Sequence, residues 1–173
     1  MYEKTYPNKR FKLTASFLEK HISTNANILD LGVANPFTEI MKQHGFKVEN
    51  TQGEDLDLNT TTIENSNANV VTAFEIFEHL LSPFTVLKSI KADKLVASVP
   101  LKLWFSSAYR SKTDMRDRHY HEFEDWQFDW LLEKAGWKII AREKWTNPTK
   151  KIGIRPILRW FTPRYYIVYA EKI

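Results

Sequence analysis

The sequence predicts an α/β fold, a mostly parallel sheet covered by helices on both faces with an antiparallel strand at its C-terminal end. Three observations predict it. Short apolar runs of strand length alternate with amphipathic stretches of helical length over residues 11–135. Two helical stretches open on one signal, a capping side chain followed by proline, at Asn35-Pro36 and Ser82-Pro83. The last two strand-like runs, residues 137–145 and 165–171, are joined by a connection without a helix of convincing length. Such a pair is antiparallel, because a parallel return needs a longer crossover.

Residues 11–21 (FKLTASFLEKH) place Phe11, Leu13, Phe17 and Leu18 at helical spacing. Residues 27–32 (NILDLG) read as a short buried strand ending at Gly32. The asparagine of Asn35-Pro36 can cap free amides, and proline suits the first helical position, where an N–H has no partner to lose. That helix runs to about His44 with Gly45 as its stop, and residues 46–51 form a second strand. The acidic stretch 54–68 has no helical period and reads as loop with at most one short strand. Residues 69–74 (NVVTAF) are a strand; Ser82-Pro83 opens a helix through Ile90; residues 94–99 (KLVASV) are a strand stopped by Pro100. Residues 101–121 are irregular and basic. Residues 122–135 form a helix that carries Phe123, Trp126, Phe128, Trp130 and Leu131 and stops at Gly136. Too few residues separate Asp55 from Asn69 for a full crossover helix, so the sheet is seven-stranded or slightly trimmed.

At 173 residues the chain suits a single domain, residues 1–173, large enough to bury a core without staples. Apolar residues at 43% and charged residues at 27% describe a folded rather than a disordered chain. There is no cysteine, which excludes disulfides, thiolate metal sites and a cysteine nucleophile. Any metal must sit on histidine and carboxylates. No apolar run reaches the roughly 18–20 residues of a bilayer span, and MYEKTYPNKR has no signal-peptide core. The expected compartment is the cytoplasm, with no membrane partner. The net charge of +4 hides blocks: residues 49–93 carry eight acids against two lysines, residues 94–121 six bases against two acids, and residues 138–173 nine bases against two acids. A basic rim beside an acidic pocket suits an anionic or nucleic-acid substrate, and solvated surface accounts for such blocks equally well.

In an open α/β sheet, ligands bind beyond the carboxyl ends of the strands. The residues that follow the strands are Asp30 to Pro36, Gln52 to Asp57, Glu75 to His79, and the basic loop leading to His119-Tyr120-His121. Glu75, Glu78 and His79 stand at i, i+3 and i+4, one face of a helical turn.

The ordered series ILDLGVANPFTEI, VVTAFEIFEHLLSPFTVLKSI, KLVASVP and HEFEDWQFDWLLEKAGW resembles class I S-adenosylmethionine-dependent methyltransferases. It is most similar to the group with Glu-x-x-Glu-His after the fourth strand, and the resemblance spans residues 10–172. It implies a Rossmann-like methyltransferase sandwich that binds S-adenosylmethionine and methylates an oxygen or nitrogen of a small molecule, and the basic blocks suit an anionic one. The resemblance places Asp30, Gly32 and Ala34 in the cofactor loop, Gln52, Glu54, Asp55 and Leu56 near the ribose and adenine, and Phe74 and Glu75 against the cofactor. The loop departs from the family's Asp/Glu-x-Gly-x-Gly-x-Gly at Ala34 and Pro36, where a Cβ is added and a donor removed. The Asn35-capped helix is expected to aim its positive end at the cofactor's carboxylate.

His79 and His121 are the expected catalytic residues, with His79 removing a proton from the attacking group. Phe74, Trp104 and Phe105 are candidate aromatic walls for the sulfonium. Residues 101–118 occupy the family's lid position, with Arg110, Lys112, Arg116 and Arg118 available to an acidic substrate or to water. The group of small-RNA 3′-terminal 2′-O-methyltransferases pairs the same Glu-x-x-Glu-His with a later His-x-Phe-Glu, here His121-Glu-Phe-Glu124. That resemblance implies a second reading: an RNA substrate, and a magnesium or manganese ion on Glu75, Glu78, His79 and His121. A third reading is a non-catalytic scaffold that has lost the cofactor.

Overall fold

The computed structural model describes residues 8–148 and 152–173. Its elements follow in order: α1 (Asn8–His21), β1 (Asn27–Asp30), α2 (Pro36–Gln43), β2 (Lys47–Asn50), α3 (Thr61–Glu64), β3 (Val70–Phe74) and a 3₁₀ turn (Phe77–His79). Then come α4 (Pro83–Ser89), β4 (Lys94–Pro100), α5 (Asp125–Lys134), β5 (Trp137–Thr146), α6 (Ile154–Phe161) and β6 (Pro163–Lys172). Six strands form one sheet in the order β2-β1-β3-β4-β6-β5. β1 to β4 are mutually parallel, and β6 is antiparallel to both β4 and β5. The sheet is the trimmed one, and it has the expected antiparallel ending.

Strand residues alternate between two cores, as a sheet covered on both faces demands. Ile28, Val70, Val96 and Ile167 pack with Phe11 and Leu18 of α1 and Phe37 and Met41 of α2. Their neighbours Leu29, Val71, Leu95 and Val168 pack on the opposite face with Ile63 of α3, Leu87 of α4, and Phe128 and Leu132 of α5. Trp137 closes this second core, fully buried, with its indole N–H donating to the Leu87 carbonyl at 3.3 Å.

The first helix-start signal works as local chemistry requires. Asn35 Oδ1 accepts the Phe37 N–H at 2.8 Å, and Thr38 Oγ1 accepts the Asn35 N–H at 3.2 Å. Asn35→Ala should lower stability by about 1 kcal/mol in urea denaturation; a loss below a few tenths would mean that Pro36 alone starts the helix. The second signal differs. Ser82 makes no side-chain cap; instead Asp57 accepts the Leu81 and Ser82 N–H groups at 2.8 Å each. The chain order gives no hint of that cap, because Asp57 lies 25 residues upstream.

Two connections read as irregular contain helices. Within the acidic stretch, α3 is a single turn started by Asn59 Oδ1, which accepts the Thr61 N–H at 3.0 Å, and anchored by buried Ile63. No strand forms there. Between β5 and β6, α6 makes two turns. Pro156 is tolerated because it sits in the first turn, whose amides have no intrahelical partner. Helix α5 starts three residues later than its apolar pattern, since Phe123 instead bridges Leu101 in parallel. β5 is irregular, with register shifts between Ile139 and Ala141 and between Trp145 and Thr146. No helix among the described residues is long and apolar enough to cross a membrane.

Candidate functional site

The strand order reverses between β1 and β3, and a cavity of about 540 Å³ opens beyond their carboxyl ends. A crevice of this size at the switch point is the default ligand site of an open α/β sheet. Asp30, Gly32, Phe74, Glu75, Glu78 and His79 all line it. Arg10 of α1 and Arg164 of β6 reach it from the helical layer and from the antiparallel part of the sheet.

Asp30 ends β1 inside the protein, 3% exposed. Its carboxylate accepts the Thr72 hydroxyl at 2.6 Å and the Asn50 amide at 3.0 Å. The same Asn50 amide reaches the Gly32 carbonyl at 3.1 Å, and the Gly32 N–H donates to Thr51 Oγ1 at 2.7 Å. The loop after β1 is thereby stapled to the end of β2. Gly32 takes φ +108°, a region closed to side chains, and a Cβ there would come within 3.3 Å of Ile76, another cavity residue.

Burial raises the Asp30 pKa to about 7, against the two hydrogen bonds that favour the charged form. The unfolded value is 3.8, so the folded state holds this proton more tightly. Stability should therefore fall as pH rises from about 4 to about 7 and then level off. Burial shifts Glu75 and Glu78 in the same direction. In urea titrations across that window Asp30→Asn should show a shallower decline than the parent chain; an equal slope would assign the dependence to the two glutamates.

Past β3 the backbone turns abruptly. Glu75 holds φ +57°, a left-handed conformation that costs a non-glycine residue of order 1–3 kcal/mol. Its N–H donates to the Ser98 carbonyl, the Ser98 hydroxyl donates to its Oε1 at 2.9 Å, and Arg10 pairs with its Oε2 at 3.5 Å. The turn sends Glu78 inward. That side chain is 1% exposed, and its Oε2 has no hydrogen-bond partner. Burial and then the neighbouring Glu75 charge push the Glu78 pKa well above the usual carboxylate range.

His79 Nδ1 lies 3.0 Å from the Arg118 carbonyl. A carbonyl only accepts, so Nδ1 carries the hydrogen and Nε2 is left as the free acceptor. Nε2 lies 3.8 Å from Glu78 Oε1. The Glu78 carbonyl accepts the N–H groups of Tyr120 (2.8 Å) and His121 (3.2 Å), and this draws the basic loop against the site. His119 thereby packs edge-on to His79 with centroids 4.7 Å apart. Burial first, and then the neighbouring His79 and Arg164, lower the His119 pKa to about 4, so its imidazole is neutral at pH 7. Glu78, His79 and His119 offer ligand atoms all within 4.8 Å of one another.

Other residues singled out from the sequence lie elsewhere. His121 is outside the cavity, stacked on Phe123 with Nε2 3.4 Å from the Leu81 carbonyl. Glu75 is engaged by Ser98 and Arg10 and stays out of the three-donor cluster. Ala34 is exposed and Pro36 starts α2; neither lines the cavity, so neither fills it. The amides at the start of α2 are already paired, which removes the anion site expected there. Gln52 faces a separate shallow depression, Glu54 accepts the Gln52 N–H at 2.7 Å, Asp55 caps the turn at Asp57, and Leu56 is in the core. Of that loop, Gly53 reaches the cavity. Phe74 lines it edge-on to Phe37, while Trp104 and Phe105 meet edge-on away from it. Arg116 lines the cavity; Arg110, Lys112 and Arg118 line a neighbouring depression.

No family model matches the sequence, and no curated protein matches it. The fold has many solved counterparts. A SAM-dependent methyltransferase from Archaeoglobus fulgidus superposes with a TM-score of 0.62 at 15% identity, covering 94% of each chain. An S-adenosylmethionine-dependent methyltransferase from Mesorhizobium loti gives 0.61 at 13% identity, covering 94% of this chain and all of the other. The N-terminal domain of EvdMO1, solved with SAH bound, gives 0.54 at 13% identity over 94% of this chain and 80% of that one. At such identities the likeness shows the fold, that of class I S-adenosylmethionine-dependent methyltransferases.

Proposed function

We propose that the chain transfers a methyl group from S-adenosylmethionine to an oxygen or nitrogen of a small, anionic molecule. The observation that carries this is the cavity at the switch point, lined by Gly32, Phe74, Glu75 and His79 together. The residues present fit the cofactor's amino-acid end. Arg10 and Glu75 supply opposite charges for a carboxylate and an ammonium, and Gly32 lets the ligand approach the main chain. When bound, the cofactor supplies a methyl carbon already activated by its sulfonium. The protein's task is then mainly to hold the acceptor in line and to take its proton. His79 suits the second role, because the Arg118 carbonyl fixes its ring and leaves Nε2 free. Arg116 and Arg164 at the cavity suit a negatively charged acceptor.

S-adenosylhomocysteine at a hundred times its dissociation constant should stabilise the chain by about 2.7 kcal/mol, read as a rise in Tm. No rise at millimolar ligand would favour the scaffold reading and end this one.

A second reading has its own support, the unpartnered Oε2 of buried Glu78 beside two histidines. A divalent cation would be held by Glu78, His79 and His119, a set in which His119 replaces His121 and Glu75 is absent. Two imidazoles and one carboxylate suit manganese or zinc better than magnesium. Such an ion would supply a Lewis acid for a ribose hydroxyl of RNA. Activity that survives exhaustive chelation would retire this reading and leave the first intact.

A further inference from the structure

Helix α6 turns its apolar face to solvent. Ile154, Ile157 and Phe161 recur at helical spacing and are 79%, 58% and 81% exposed, and Trp160 beside them is 59% exposed. No residue of α6 is buried. Soluble monomers rarely leave such a contiguous set uncovered, so this face has an occupant. Charge identifies it. Arg155 and Arg159, one turn apart, flank the apolar face on one side and have no ion-pair partner among the described residues. The sequence holds no acid between Glu143 and Glu171.

Against the expectation of no membrane partner, we propose that α6 docks the protein on an anionic lipid surface, lying in the plane of the headgroups with Ile154, Ile157, Trp160 and Phe161 in the acyl boundary and Arg155 and Arg159 among the phosphates. A short helix with bulky apolar residues on one side and arginines on the other is the form of an interfacial helix. Tryptophan favours that interface for its apolar ring and polar N–H. At eight residues, about 12 Å, the helix lies on a bilayer and cannot cross it. A second copy of the chain fits less well: α6 has no acid to offset the arginines that a symmetric contact would bring together. Three residues beyond α6 the chain enters the cavity wall at Arg164 and Tyr165, so a docked helix would hold the cavity beside the lipid surface. The inference concerns binding alone and stands whether or not the protein transfers methyl groups.

The test is co-sedimentation of the full chain with vesicles of pure phosphatidylcholine and of equal parts phosphatidylcholine and phosphatidylglycerol. The parent chain should partition at least about tenfold more strongly onto the mixed vesicles, and added salt should weaken this. The pair Arg155→Glu and Arg159→Glu should lose the preference. The pair Ile157→Ser and Phe161→Ser should cut binding to the mixed vesicles by about tenfold or more. These side chains are not buried, so both variants should keep the parent's circular dichroism and Tm. Equal binding to both vesicles, no binding, or variants that bind like the parent would overturn the proposal. So would a parent chain that ignores vesicles but dimerises through the same side chains.

Discussion

His79→Ala should lower kcat by about 10²- to 10⁴-fold while leaving the affinity for S-adenosylhomocysteine within a factor of two or so. The ring is held by its Nδ1–H on the Arg118 carbonyl, and Nε2 is the one ring atom left to accept a proton. Removing it deletes the proton acceptor and leaves Asp30, Gly32 and Glu75, which also line the cavity, in place. His79→Gln offers a hydrogen-bonding side chain but no comparable base, so its kcat should fall nearly as far. If kcat is unchanged, the acceptor's proton leaves by another path and His79 has no part in the chemistry. If kcat holds and ligand affinity falls, the residue helps to bind the cofactor.

Trp137→Ala should destabilise the fold by about 3–5 kcal/mol, a large share of a domain's usual margin. Trp137 opens β5 with no exposed surface and is the largest fully buried side chain of the core under α4 and α5. Truncation removes its apolar burial, leaves a hole, and strips the Leu87 carbonyl of its donor. Trp137→Phe keeps most of the volume and loses the hydrogen bond, so it should cost roughly 1–3 kcal/mol. Urea denaturation of both variants separates the two contributions. A loss below about 1 kcal/mol for the alanine variant would mean that this core collapses around the gap.

The parts of this fold legible in the sequence are those decided by neighbours in the chain. Asn35-Pro36 announces α2 because the cap, the proline and the Thr38 return bond all fall within four residues. The antiparallel pairing of β5 and β6 agrees with expectation although its premise holds only in part, since the connection between them carries the two-turn helix α6. α3 was not: one turn of TTIE has too little length for a period. The site divides along the same line. Asp30, Gly32, Phe74, Glu75, Glu78 and His79 follow strand ends, and strand ends converge. His119 took the place expected for His121 because two successive amides, of Tyr120 and His121, converge on the Glu78 carbonyl. That bond spans more than forty residues, and nothing in the spacing of the two histidines foretells it. Gln52, Glu54 and Asp55 bond to their own loop instead of the cavity, a choice set by turn geometry.

The irregular course of β5 has a consequence for life at high concentration. A margin ten residues long, left straight and apolar, would recruit a neighbour's backbone and grow into a ribbon. Here its two slips in pairing skew the exposed margin, and the charged side chains of Lys138, Arg142, Glu143 and Lys144 would have to lose water for a like strand to add. The opposite margin, β2, is only four residues long and ends in a staple to its neighbour. Both sides of the sheet are thereby guarded against fibrous self-assembly.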